Sequence, residues 1–145
     1  MRPTYQKQED AINQTQVIVE VCDNWVCDVF PFSDYSLADF LLVTKESKIM
    51  LAEVKCRKNS KSKYPTLILS THKVDKIIEV AEHLKIKAFL FVRWEEGIFW
   101  IELKTDNNFV FSIGGRSDRG DSRDREFVYE IPVQDFRALK PLNRA

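Results

Sequence analysis

The run Ala88-Phe89-Leu90-Phe91-Val92 constrains this chain more than any other segment. Five consecutive apolar residues leave no face for water, so the segment reads as a strand covered on both sides inside a layered α/β domain. One cover precedes it directly. Val74, Ile77, Ile78, Ala81 and Leu84 recur at three, four and seven, which predicts an amphipathic helix opened by Ser70 or Thr71 as its cap. Glu96-Gly97 then separates the apolar run from Ile98 to Leu103, a second strand of the same sheet.

Upstream, Pro3 and Thr4 open a helix to about Val21, with Tyr5, Ala11, Ile12, Thr15 and Val19 on one stripe. The β-branched cluster Val17-Ile18-Val19 also fits a strand. Trp25 to Phe30 reads as a strand stopped by Pro31 and followed by an irregular link through Asp34 to Ser36. Asp39 to Val43 and Ile49 to Cys56 flank Lys45-Glu46-Ser47-Lys48, a segment suited to a hairpin turn. Arg57 to Lys63 is polar and basic, and Tyr64-Pro65 with Thr66-Leu67-Ile68-Leu69 reads as a loop or lid. Beyond Leu103 come strands at Phe109 to Ile113 and near Phe127 to Ile131, around Gly114-Gly115-Arg116-Ser117-Asp118-Arg119-Gly120-Asp121. No repeat or linker divides the chain, so residues 1–145 are expected to form one domain.

With 145 residues, 44% of them hydrophobic, and only four glycines, the chain can build one core and is not a disordered or low-complexity protein. Its 22 basic residues balance 22 acidic ones, so attraction to nucleic acid must come from local positive charge or bound cations. Cys22, Cys27 and Cys56 form no C-x-x-C pair, and His72 and His83 add no zinc spacing, which favours reduced, buried thiols. The N-terminus lacks a signal-peptide core and no apolar run is long enough to cross a bilayer, so no membrane association and a cytoplasmic location are expected.

The chemistry-bearing residues lie on the hairpin. Alternation puts Glu53 and Lys55 on one face of their strand, with Val54 on the other. A turn about Glu46 and Ser47 gives pairing index sums near 93 and brings Asp39 beside Glu53. Two close carboxylates repel, and a divalent cation such as Mg²⁺ relieves that repulsion. A metal-assisted phosphodiester hydrolase follows, with Lys55 orienting the attacking water or neutralising charge in the transition state.

Asp39, the hairpin, Glu53-Val54-Lys55, the basic loop, the helix and the apolar strand together resemble the PD-(D/E)XK nuclease superfamily, over roughly Gln6 to Val92. The resemblance implies a restriction-endonuclease-like α-β-β-β-α-β core, a mixed central sheet flanked by helices, here with extra C-terminal strands. It also implies Mg²⁺-dependent cleavage of DNA, with Mn²⁺ able to substitute, and catalytic roles for Asp39, Glu53 and Lys55. Ala38 stands where the family often has proline, which removes no ligand. Similarity to Holliday junction resolvases and exonuclease-like relatives adds Glu9 from the first helix as a metal ligand and Lys73 from the second helix as a supporting catalytic group, with Tyr64, Ser70 and His72 nearby. The segment from Gly114 to Asp121 is similar to tails of small phage-encoded members, which would place the protein in host cytoplasm.

Plainer readings stand beside these. An E-x-K on a strand also arises from ordinary alternation on a solvated face, and Glu9 also suits the helix macrodipole. Arg57, Lys58, Lys61 and Lys63 are candidate phosphate contacts, or simply a solvated loop. The tryptophans at 25, 94 and 100 could stack on bases but more often fill a core. The Arg-Gly-Asp at 119–121 reads as a charged turn. The expected function is a metal-dependent deoxyribonuclease acting as a homodimer, structure-specific for junctions or flaps or serving phage DNA processing. The alternative is a non-catalytic nucleic-acid-binding or assembly module of the same fold; an RNase or a protein-binding regulator is a third reading.

Overall fold

The computed structural model describes residues 4–32, 37–115 and 125–139, with side chains of the first stretch described from Glu9 onward. The link at 34–36, the Arg-Gly-Asp triplet and most of the charged segment singled out from Gly114 onward lie outside the described residues. A long helix, α1 (Thr4–Trp25), leads into three strands, β1 (Cys27–Pro31), β2 (Phe40–Thr44) and β3 (Ile49–Cys56). A 3₁₀ turn (Lys61–Lys63) precedes β4 (Thr66–Ser70), α2 (Thr71–Leu84), β5 (Lys87–Trp94) and β6 (Gly97–Glu102). The chain closes with β7 (Val110–Gly115), β8 (Arg125–Pro132) and the short β9 (Arg137–Ala138).

Two sheets result. The larger has the order β1-β2-β3-β5-β6-β9, with β3 and β5 parallel and every other neighbour antiparallel. The smaller has the order β4-β8-β7, all antiparallel. The apolar run in β5 now has its reason: Ala88, Leu90, Val92 and Trp94 enter the cluster that contains Val74, Ile77 and Ala81 of α2. Phe89 and Phe91 enter the opposite cluster with Val17, Ile18 and Val21 of α1. Strict alternation delivers side chains to two cores, so none of the five positions from Ala88 to Val92 is left for a polar residue. At the β5–β6 turn Gly97 has φ +135°, a backbone conformation that an L side chain rarely adopts.

The structure corrects three readings. First, α1 runs to Trp25, and it buries Val17, Ile18 and Val21 where Ala11, Ile12, Thr15 and Val19 were expected; Ile12 and Val19 are at least half exposed. The extra turn explains the rotation, because Trp25 anchors that face edge-on against Phe89 at 5.0 Å, Phe91 at 5.1 Å and Trp100 at 5.4 Å. Second, Thr66 to Leu69 belongs to a strand, whose Leu67 and Leu69 are buried while Ile68 is exposed. Its partner β8 lies some sixty positions downstream, so no local signal announces the pairing. Third, the three cysteines are half-buried, with the Cys22 and Cys27 sulfurs 3.5 Å apart. Burial, then the Cys27 contact, pushes the Cys22 thiol up to about 12, so it stays protonated.

Removing the aromatic anchor should be costly. Trp25→Ala is expected to lower stability by about 3 kcal/mol, from lost burial and edge-on ring contacts. Urea unfolding checks this, as a lower midpoint with an unchanged slope.

Candidate active site

The β2–β3 hairpin sets the site. Phe40 pairs with Ala52 and Leu41 with Leu51, one position tighter than the expected index sum, which brings Asp39 level with Glu53. The turn closes through the Thr44 N–H donating to the Lys48 carbonyl at 2.9 Å, with Ser47 in the left-handed region at φ 63°. Asp39 is locked by backbone: its Oδ2 accepts the Val54 N–H at 2.8 Å. One carboxylate oxygen is thereby tied down beside the β3 strand that carries Glu53 and Lys55.

Glu53 is the single buried charged residue among the described residues, with 2% of its surface exposed. It shares its strand face with Leu51, so it points toward the α2 side of the sheet. There it meets two ammonium groups: Lys55 Nζ lies 3.7 Å from Oε2 and Lys73 Nζ, from the first turn of α2, lies 3.6 Å from Oε1. Both lysines keep about a third of their side chains exposed, so the charge cluster opens to solvent on one side. Neither distance is a hydrogen bond, and Oε1 is a buried acceptor without a hydrogen-bond partner among the described residues. Burial, followed by the negative charge of Asp39, raises the Glu53 carboxyl to about 7, against the pull of the two lysines.

This donor set fits a hard divalent cation. An orphaned buried carboxylate oxygen, a second carboxylate fixed by a backbone N–H, and a carboxyl held half-protonated near neutrality are all relieved by a positive ion. Among the described residues, no group of three or more His, Cys, Asp or Glu side chains is placed to hold a metal. The protein ligands available at the hairpin are therefore the pair Asp39 and Glu53, a number that suits Mg²⁺ with its retained waters.

Glu9 lies elsewhere in the cleft. It lines a cavity of about 540 Å³ at the carboxyl end of β3, with Asp10, Asn13 and Gln14 of α1 on one wall and Lys55, Arg57, Lys58 and Arg93 on the other. Glu9 thus shares this space with Lys55 and not with the carboxylate pair. The sequence reading missed two residues here. Gln14 donates to the Val54 carbonyl at 3.3 Å, tying α1 to the strand of the site. Arg93 sits opposite Cys56 in the β3–β5 register and adds a cation to the cavity. A polar residue one turn before the buried pair Val17-Ile18 was the available signal for Gln14; the Arg93 signal lay in the parallel pairing alone.

The basic loop divides. Arg57 and Lys58 line the cavity shared with Glu9. Lys61 instead rests over the rings of Phe99 at 5.0 Å and Trp94 at 6.0 Å, while Lys63 lies 5.5 Å from the ring centre of exposed Tyr64. Glu96 holds this loop in place, accepting from the Lys61 N–H at 2.9 Å and the Ser60 hydroxyl at 2.8 Å. Ser70 is the N-cap position of α2 and makes no side-chain cap bond, and His72 is exposed on the first turn.

Comparison with known proteins bears on the fold and the family. Among curated proteins, none matches the sequence. The structure of Hjc, a Holliday junction resolvase from the archaeal hyperthermophile Archaeoglobus fulgidus, is similar in fold, with a TM-score of 0.53 and 13% identity. The match covers 83% of this chain and 84% of the other. At that identity the likeness shows a restriction-endonuclease-like fold. Among the described residues, no helix is long and apolar enough to cross a membrane. The sequence profile of the family described as "Phage putative PDDEXK endonuclease" matches residues 1–139. With nearly the whole chain matched and the Asp39, Glu53 and Lys55 hairpin in place, the protein belongs to this phage PDDEXK endonuclease family.

Proposed function

We propose that the protein is a Mg²⁺-dependent deoxyribonuclease, with Mn²⁺ able to substitute, that hydrolyses phosphodiester bonds at the β2–β3 hairpin. The observation that carries this reading is the buried Oε1 of Glu53, which has no hydrogen-bond partner among the described residues, beside Asp39 and two lysines. Asp39 and Glu53 hold the cation. When bound, it supplies Lewis-acid polarisation of the phosphate and lowers the pKa of a coordinated water.

The chain's own groups do the rest. The Val54 N–H fixes Asp39, so the carboxylate pays little ordering entropy on binding. Lys55, paired with Glu53 and lining the cavity at the carboxyl end of β3, orients the attacking water and offsets charge that grows on the phosphate oxygens. Lys73 balances the other Glu53 oxygen and favours its charged form, against the burial that raises it. Arg57, Lys58 and Arg93 bind backbone phosphates along the cavity.

DNA is the favoured substrate because the similarly folded Hjc is a Holliday junction resolvase and the family is described as an endonuclease, and junctions or flaps are the forms to test first. Host cytoplasm is the corresponding compartment. Incubation with four-way-junction, flapped, duplex and single-stranded DNA and with RNA, in Mg²⁺, Mn²⁺ or EDTA, tests the proposal. Cutting of DNA in Mg²⁺ that EDTA abolishes is expected; binding without cutting of any substrate would return the reading to a non-catalytic module.

A further inference from the structure

The smaller sheet carries an apolar face that outruns its cover. Cross-strand register puts Leu67 opposite Ile131, Leu69 opposite Tyr129, Phe111 opposite Tyr129 and Ile113 opposite Phe127. All these side chains therefore share one face. Its inner part, Leu67, Leu69 and Ile131, is buried in the α2 core, and Tyr129 is fastened to α2 through its hydroxyl and Asp75. Its outer part is bare: Phe111 is 64% exposed, Ile113 67% and Phe127 56%. Phe111 and Phe127 form a ring pair with centroids 6.1 Å apart.

The edge beside that patch is equally open. Among the described residues nothing pairs with the outer side of β7, whose sequence Val110-Phe111-Ser112-Ile113-Gly114-Gly115 holds no charge and no proline. The other sheet edges are interrupted. β1 carries Asp28 and Pro31, β9 has two residues including Arg137, and β4 has five residues, preceded by Pro65 and followed directly by α2. A regular, uncharged apolar edge is a template for another strand, and proteins that work as monomers usually block it.

We propose that β7 pairs with β7 of a second copy of this chain, antiparallel about a twofold axis at Ser112, so that two three-stranded sheets become one of six strands. The register selects a second copy as occupant. Centred on Ser112, it sets Phe111 of each protomer opposite Ile113 of the other, extending the apolar face without a break through Phe127. The three bare side chains offer on the order of 350 Å² per protomer, near half of a standard interface contribution, and the strand backbones and exposed Val110 add to it. The contact is of moderate strength and leaves the Glu53 hairpin, in the other sheet, uncovered.

Light scattering of the full chain, with two variants, tests the interface. Wild type is expected at twice the 17.0 kDa chain mass, and Ile113→Lys at the single mass with an unchanged far-ultraviolet circular dichroism spectrum. Ser112→Cys is expected to form a covalent dimer under mild oxidation, at least tenfold more than wild type, whose three native thiols are the control. The Ser112→Cys result decides the matter even if Ile113→Lys fails to fold. A monomeric wild type, a dimer that survives Ile113→Lys, or a Ser112→Cys protein that does not cross-link would each overturn the proposal. Because no readout uses cleavage, failure here is distinct from failure of the nuclease reading.

Discussion

Glu53→Gln is expected to stabilise the metal-free protein at pH 8 while reducing cleavage by at least about a thousandfold, since it removes a metal ligand. The stabilisation follows from the sign of the Glu53 shift. Its carboxyl titrates near 7 in the folded protein against an ordinary 4.5, so the folded state keeps a proton that the unfolded chain has released. Protonated Glu53 therefore supports the fold fully below about pH 4.5, and that support is lost as pH rises through 7. The total change is about 3 kcal/mol, as an order of magnitude, because desolvating an ionised carboxylate is the dominant cost. A glutamine has the same shape and no charge to bury. The variant should melt about 6 °C above wild type at pH 8 in EDTA and close to it at pH 5, by calorimetry or circular dichroism. Added Mg²⁺ should raise the wild-type melting temperature and leave the variant unmoved.

Lys55→Ala is expected to lose about 10²- to 10⁴-fold in cleavage rate with little change in melting temperature or DNA affinity. The lysine is a third exposed and its ion pair with Glu53 spans 3.7 Å, so the folded state depends on it little. Its effect should fall on the single-turnover rate and not on binding, because charge at the phosphate grows mainly in the transition state. Equal losses in affinity and rate would make Lys55 a phosphate anchor instead.

The parts of this account that were legible in the sequence are those with short-range causes. The strand Ile49–Cys56 and the turn at Lys45–Lys48 set the register that joins Asp39 to Glu53, and the stripe Val74-Ile77-Ala81 marked α2 and with it Lys73. What was illegible depended on distant partners. Apolar residues surround α1 on two stripes, and the choice between them rests on distant contacts such as those of Trp25 with β5 and β6. Leu67 and Leu69 alternate as a strand should, yet their partner is β8, and the second sheet that results has no local signature. Lys61 shows the same limit at a side chain: the rings beneath it, Trp94 and Phe99, arrive from the β5–β6 hairpin.

The central claim is that Asp39 and Glu53 together hold the cation that makes this hairpin a nuclease. Asp39→Asn tests it most directly, because an asparagine oxygen can still accept the Val54 N–H and preserve the hairpin. The measurement is the single-turnover rate of cutting a labelled four-way junction by wild type and Asp39→Asn across a Mg²⁺ titration. The account predicts a wild-type rate that saturates with Mg²⁺ and no measurable cutting by the variant at any Mg²⁺ concentration. Matching curves for the two proteins would contradict it and place the chemistry away from this carboxylate pair.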